Sequence, residues 1–149
     1  MPSAPSMPSV VFDTVIFVRS LINPHGLWGH LVFEHAESYD LIVSPPIVQE
    51  ILEVLHRPEL TRRFRTLGGL DLARVLEIIG QAKVVEITDI PAVSRDPKDD
   101  KFLATAEAAT ADYLVSEDQD LLVLGTHGKT AIVDARTFLT ILKRSETES

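Results

Sequence analysis

The chain has 149 residues, of which 45% are hydrophobic and 24% charged, and its formal net charge is −8. This length suits one domain that buries about two-thirds of the surface of its unfolded chain. The negative charge argues against a protein that holds nucleic acid by bulk electrostatics. It does not exclude an enzyme that cuts nucleic acid, because acidic metal ligands lower the net charge and a bound divalent ion restores positive charge locally.

Cysteine is absent, which excludes disulfides and thiolate chemistry and is consistent with a cytoplasmic enzyme. Residues 1–9 lack the basic and long apolar stretches of a secretion signal, and we expect them to form a disordered leader. Residues 144–149 are predicted to be a frayed tail, which leaves residues 10–143 as a single domain. No apolar run approaches the roughly 20 residues that a membrane helix needs.

The apolar residues 10–12 end at Asp13 and are typical of a buried central strand. Asp13 would lie at the C-terminal end of this strand, where open α/β sheets bind their ligands. Alternatively, Asp13 caps a helix at residues 14–21, because aspartate is a preferred N-cap. The two roles are compatible.

A turn at residues 23–26, a helix at 27–38 and a strand at 41–44 are predicted next, followed by a helix at 45–56 that starts with two prolines. On this last helix Glu53 lies opposite the apolar side, whereas Glu50 lies at its border. A carboxylate at the rim of a buried face indicates a functional role for Glu50. The alternative is that Glu50 is an ordinary exposed residue at that border.

The basic residues of the chain cluster only once, at Arg62, Arg63 and Arg65. This cluster is either a solvated helix face or a patch that contacts phosphates of a substrate. Residues 70–82 then form a predicted amphipathic helix, and residues 83–87 a third strand.

Acidic residues flank the next helix and strand. Asp99 and Asp100 open a helix that ends near residue 110, and Asp118 and Asp120 follow a strand at residues 113–116. If this strand is parallel to its neighbours, both groups of carboxylates lie at one edge of the sheet. Such carboxylates repel one another unless a cation neutralises them, and Mg²⁺ and Mn²⁺ are the natural partners.

A last strand at residues 131–133 and a helix at 135–143 complete the chain. The alternation of strands and helices predicts a three-layer α/β/α fold with a mostly parallel central sheet.

With these acids placed, the chain resembles the PIN-domain family, in particular its stand-alone prokaryotic VapC-like toxin components. Four stretches carry the resemblance, and they occur in the family's order and spacing: VVFDTVIFVRSL, SPPIVQEILEVLHRPEL, RDPKDDKFLATA and ADYLVSEDQDLL.

The resemblance implies an endoribonuclease that depends on Mg²⁺ or Mn²⁺, with RNA as its substrate, an antitoxin protein as its partner and a homodimeric assembly. It assigns the acids to Asp13, Glu50, Asp100 and Asp118, with Asp100 ranked before Asp99 as the third acid. Asp13, Asp100 and Asp118 would hold one or two ions, while Glu50 would either ligate an ion or orient the attacking water.

The sequence departs from the family pattern at two polar positions. Val15 occupies a position where members usually carry asparagine, and Ser116 replaces a threonine but keeps the hydroxyl. Val15 and the negative net charge motivate an alternative function, a PIN-fold module that binds an antitoxin or RNA without cleaving RNA. An aspartate-nucleophile phosphatase is disfavoured, because that chemistry needs a second aspartate two residues after Asp13 and this chain has Val15 there.

Overall fold

A single sheet forms the centre of the protein. The computed structural model describes residues 7–60, 62, 70–88 and 97–148. Within these residues the sheet has six strands in the order β3-β2-β1-β4-β6-β5. Neighbouring strands are parallel, apart from the antiparallel pair β5 and β6. The strands are β1 (Ser9–Phe12), β2 (Asp40–Val43), β3 (Lys83–Val84), β4 (Tyr113–Val115), β5 (Thr126–His127) and β6 (Thr130–Val133).

Helices connect these strands. The described helices are α1 (Thr14–Ile22), α2 (Leu27–Gly29), α3 (Pro45–Leu55), α4 (Leu70–Gly80), α5 (Asp100–Ala109), α6 (Gln119–Leu122) and α7 (Ala135–Glu148). A π-helical turn, His30–Glu34, continues α2, and a 3-10 turn, Pro97–Asp99, precedes α5. None of the helices in the described ranges is long and apolar enough to cross a membrane.

The central strands are buried on both faces. Val10, Val11 and Phe12 are at most 1% exposed, although successive side chains of a strand point to opposite faces. Residues 41–43 of β2 are buried in the same way. Other elements therefore cover both sides of the sheet, with α5 packed against β1, β2 and β4. The predicted three-layer α/β/α fold with a mostly parallel sheet is confirmed.

The order of the strands changes direction at β1. The chain adds β2 and β3 on one side of β1 and then places β4 on its other side. At such a switch point, the loops after the two adjacent strands diverge and leave a crevice at the carboxyl edge of the sheet. Asp13 directly follows β1, and Ser116 directly follows β4. The fold thus brings the acidic loops after β1 and β4 to the two sides of this crevice.

Some element boundaries differ from the predictions. In place of the helix predicted at residues 27–38, the short helix α2 is followed by the π-helical turn His30–Glu34. Leu31, Val32 and Phe33 are all buried in this turn. Three successive buried side chains do not fit the one-sided pattern of a regular amphipathic helix. The C-terminal helix continues to Glu148 instead of ending at residue 143, since neither glycine nor proline interrupts it.

Other differences concern short elements. Ser9, predicted to lie in the leader, pairs with Asp40 in the sheet. The predicted strand at residues 83–87 is reduced to β3, which lies at the edge of the sheet and pairs on one side only. The segment after Asp118, for which no element was predicted, contains α6, and β5 forms a tight hairpin with β6.

Gly29 lies at a close approach between α2 and the preceding turn. A β-carbon there would overlap the carbonyl oxygen of Pro24, whereas nothing lies within 4 Å of a β-carbon added at Gly80. We expect Gly29→Ala to lower the free energy of unfolding by about 1–3 kcal/mol, because the backbone must move to relieve the overlap. Urea unfolding measures the change, with Gly80→Ala as the matched control. Wild-type stability of Gly29→Ala would contradict the close approach.

Candidate active site

A cavity of about 620 Å³ opens at the carboxyl edge of β1 and β4. Acidic side chains from well-separated parts of the sequence line much of it. Four of them are the predicted site residues Asp13, Glu50, Asp99 and Asp118, and Glu59 and Glu117 add to the acidic lining. The crevice created by the strand order is therefore an acidic cavity.

The hydroxyl of Ser116 links Asp13 and Asp118. Ser116 Oγ donates a hydrogen bond to Asp13 Oδ2 at 2.8 Å and accepts one from the backbone N–H of Asp118 at 3.0 Å. Asp13 also caps α1, because its Oδ1 accepts a hydrogen bond from the backbone N–H of Val15 at 3.3 Å. Asp13 thus caps a helix and lies at the carboxyl edge of the sheet at the same time.

Burial raises the pKa of Asp13. Hydrogen bonds from Ser116 and Val15 act against this rise, while the nearby carboxylates of Glu50 and Asp118 add to it. Because the folded-state pKa lies above the ordinary value of 3.8, the contribution of Asp13 to stability is fully present below that pH and is lost as the pH rises through the folded-state pKa. Ionisation of Asp13 therefore opposes folding, and a cation bound beside it would offset that cost.

Both carboxylate oxygens of Glu50 are engaged by side chains. Thr14 Oγ1 donates to Oε2, and Lys101 Nζ lies 2.7 Å from Oε1. The same ammonium group donates to the carbonyl oxygen of Lys98 at 2.9 Å. The side chains of Glu50 and Lys101 are 28% and 16% exposed, so this ion pair is partly shielded from solvent. Glu50 is a carboxylate held in one orientation rather than an exposed border residue.

Asp99, Asp118 and Asp120 form a close group of carboxylates within the described residues. One oxygen atom from each lies within 4.8 Å of the other two. Mg²⁺ and Mn²⁺ bind carboxylate oxygens in preference to softer ligands, so this donor set fits such an ion. Asp120 was not among the predicted ligands, although it stands only two residues after Asp118 in the sequence. The backbone N–H of Asp120 donates a hydrogen bond to Asp118 Oδ1 at 2.9 Å.

The structure distinguishes Asp99 from Asp100. The two side chains are 5% and 4% exposed. Asp99 ends the 3-10 turn and lines the cavity, whereas Asp100 begins α5 and is not among the described residues that line it. Of the two candidates for the third acid, the described lining therefore includes Asp99, which the sequence ranked second.

Comparison with known proteins identifies the fold family. The family described as PIN domain matches residues 9–120. The chain belongs to the PIN-domain family. The resemblance to the PIN-domain family that the four acidic stretches carry is thereby confirmed.

Relatives and solved structures agree with this assignment. The uncharacterized protein MJ1680 of Methanocaldococcus jannaschii is 34% identical to this PIN-domain protein over 127 residues, which are 80% of this chain and 77% of the relative. PAE2754 from Pyrobaculum aerophilum is similar in structure, with a TM-score of 0.53, 18% identity, and coverage of 96% of this chain and 99% of its own. VapBC2 from Rickettsia felis, bound to a DNA fragment from their promoter, gives a TM-score of 0.54, 11% identity, and coverage of 85% and 98%. These two structures show a shared fold.

Of the predicted basic cluster, Arg62 is exposed and is absent from the described lining of the cavity, and Arg63 and Arg65 lie outside the described residues. The described lining of this PIN-domain protein's cavity includes the cations of Arg19, Arg57 and Lys98. These three are far apart in the sequence, so no local cluster of charge indicated them.

Proposed function

We propose that this PIN-domain protein is an endoribonuclease that depends on a divalent metal ion. The observation that carries the proposal is the convergence of Asp13, Glu50, Asp99 and Asp118 on one cavity at the switch point of the sheet. The close group that Asp99 and Asp118 form with Asp120 adds a donor set suited to Mg²⁺ or Mn²⁺. Hydrolysis assisted by such an ion needs no nucleophilic side chain.

The residues of the site divide into two roles. Asp99, Asp118 and Asp120 would hold the ion, with Asp13 beside them in an orientation fixed by Ser116. A bound Mg²⁺ or Mn²⁺ supplies a water of lowered pKa and positive charge that stabilises the phosphate. Glu50, held by Thr14 and Lys101, would orient the attacking water and accept its proton.

Metal dependence tests the proposal directly. We expect the purified protein to cleave single-stranded RNA with Mn²⁺ or Mg²⁺, to lose this activity in excess EDTA, and to regain it when Mn²⁺ is restored. Mn²⁺ should also raise the melting temperature, because it binds the folded carboxylate group and not the unfolded chain. Gel analysis of end-labelled RNA and thermal unfolding measure the two effects. Cleavage that persists in EDTA contradicts metal dependence, and no cleavage with either ion contradicts the nuclease assignment.

Ser116→Ala tests the link between Asp13 and the metal group. We expect it to weaken Mn²⁺ binding or cleavage by about 10–100-fold, the usual effect of removing a group that orients a metal ligand. Ser20→Ala is the matched control, because Ser20 is also buried but its hydroxyl donates to the carbonyl oxygen of Phe17 at 2.6 Å, within α1. Mn²⁺ titration and cleavage rates give the comparison. Equal losses in both variants would indicate a general packing effect instead.

We further propose that this PIN-domain protein is the toxin of a toxin-antitoxin pair and acts on cytoplasmic RNA, a role that agrees with its family and with the fold that it shares with VapBC2. The partner would be an antitoxin protein, and the assembly a homodimer. Induced expression of the protein should then arrest bacterial growth, and a small open reading frame directly upstream of its gene should encode a protein that relieves the arrest. Light scattering of the purified protein would determine its oligomeric state.

Val15 favours a second candidate function, a PIN-fold module that binds an antitoxin or RNA without cleavage. This apolar side chain lines the cavity at a position where the family usually carries asparagine, so the site lacks the hydrogen bonds of an amide. Such a module would show no cleavage with Mn²⁺. It would also keep its affinity for its partner after Asp118→Asn, which separates it from the metal-dependent enzyme.

A further inference from the structure

Arg19 is stacked on an aromatic ring at the cavity. Its guanidinium lies over the indole of Trp28, 4.9 Å from the ring centroid, and Arg19 lines the cavity together with Asp13 and Asp118. Such a cation–π contact restrains a side chain that would otherwise sample many conformations.

Trp28 is itself held in position. Its Nε1 donates to Glu117 Oε1 at 3.3 Å, and the same oxygen accepts a hydrogen bond from the backbone N–H of Ala135 at 3.0 Å. Glu117 follows β4 and Ala135 begins α7, so the indole is tied to two elements beside the cavity. The position of Arg19 over Trp28 is therefore built into the fold.

No carboxylate among the described residues forms an ion pair with Arg19. Lys101, the cation that contacts Glu50, forms an ion pair within the site, and Arg57 lies 4.0 Å from Glu53. Within the part of the chain that the structure describes, Arg19 contacts the indole and forms no ion pair. A guanidinium stacked by its face keeps its N–H groups available at the edge, where they can bind a phosphate with two parallel hydrogen bonds.

We propose that Arg19, positioned by Trp28, binds a backbone phosphate of the RNA strand that enters the cavity. This inference rests on the ribonuclease function proposed above and adds a substrate-binding residue to it. A protein with a net charge of −8 and an acidic site must admit a polyanion, and a fixed cation beside the carboxylates offsets part of the repulsion. Because the contact is to a phosphate, it orients the strand without reading its sequence.

The fluorescence of Trp28 provides a direct test, since Trp28 is the only tryptophan of the chain. We expect single-stranded RNA, titrated with Ca²⁺ in place of Mn²⁺, to change the emission of Trp28 in the wild-type protein. Arg19→Met should bind the RNA about tenfold more weakly, the effect of losing one charge-assisted contact. The slope of log affinity against log salt concentration should decrease by about 0.7. Arg19→Lys should recover only part of the affinity, because lysine keeps the charge but loses the planar donors.

Arg74→Met is the matched control. Arg74 also lies over an aromatic ring, 5.6 Å from the centroid of Phe33, but it lines a different cavity at the starts of β1, β2 and β3. We expect this variant to bind RNA with the affinity and salt slope of the wild type, and melting curves of all variants confirm that they are folded.

Two results would overturn the contact. One is wild-type affinity and salt slope in Arg19→Met, and the other is an equal loss in Arg74→Met, which would indicate a general charge effect. If the wild type still cleaves RNA with Mn²⁺ in either case, the ribonuclease proposal stands without the Arg19 contact. A wild-type protein that neither binds nor cleaves RNA would overturn both proposals.

Discussion

Asp118→Asn is expected to abolish Mn²⁺-dependent RNA cleavage and the rise in melting temperature that Mn²⁺ gives the wild-type protein. Asp118 contributes an oxygen to the close group with Asp99 and Asp120, and its backbone N–H is bound by the hydroxyl that also holds Asp13. Loss of a group that only orients a metal ligand lowers metal affinity or activity by about 10–100-fold. Loss of a ligand itself should therefore lower the activity by more than about 100-fold. Asp13→Asn should lose cleavage in the same way.

The substitution should leave the fold intact. Asp118 caps α6 by accepting a hydrogen bond from Asp120 N–H, and asparagine can accept the same bond. Asp40→Asn is the matched control, since Asp40 is an exposed aspartate at the start of β2, on the opposite edge of the sheet. Cleavage by Asp118→Asn at the wild-type rate would reveal a contaminating nuclease. Loss of cleavage with an unchanged Mn²⁺ effect on melting would show that Asp118 does not ligate the ion.

The convergence of Asp13 and Asp118 could be predicted because it depends on two simple features. Each residue lies just after a buried apolar run, and the carboxyl ends of parallel strands meet at one edge of a sheet. The choice between Asp99 and Asp100 could not be predicted in this way. Asp100 was ranked first by its place in the family's motif, whereas the arc of apolar residues on the helix lay closer to Asp99. A count along the motif does not show that Asp99 ends a 3-10 turn, in which successive side chains are about 120° apart instead of about 100°.

Contacts between elements were also beyond the reach of sequence patterns. Lys101 meets Glu50 only because α5 packs beside α3, and neither helix shows this pairing in its own periodicity. The stacking of Arg19 on Trp28 depends in the same way on how α1 and α2 meet. A search for adjacent charges finds Arg62 and its neighbours, but it cannot find cations that only the fold brings together. Strand β5 was missed because a strand of two residues has no periodicity to detect.

Glu50→Gln is expected to lower the cleavage rate by about 10²–10⁴-fold, the usual contribution of a general base, while leaving Mn²⁺ binding nearly unchanged. The sequence left two roles open for Glu50, as a ligand or as the group that orients water. We propose the second role, because Glu50 is not part of the close group of aspartates and Thr14 and Lys101 hold its carboxylate in one orientation. Glutamine removes the negative charge and the proton-accepting oxygen with little change in volume.

Cleavage rates and Mn²⁺ titration of the same preparations separate the two roles of Glu50. Glu53→Gln is the matched control, because Glu53 lies on the same helix but its side chain is 73% exposed, and both measurements should match the wild type. If Glu50→Gln weakens Mn²⁺ binding as strongly as Asp118→Asn does, Glu50 is a ligand. If cleavage is unchanged, Glu50 does not act as the base, and the ion pair with Lys101 serves only to join α3 to α5. If Glu50→Gln is active, one of the aspartates becomes the candidate for the group that accepts the proton.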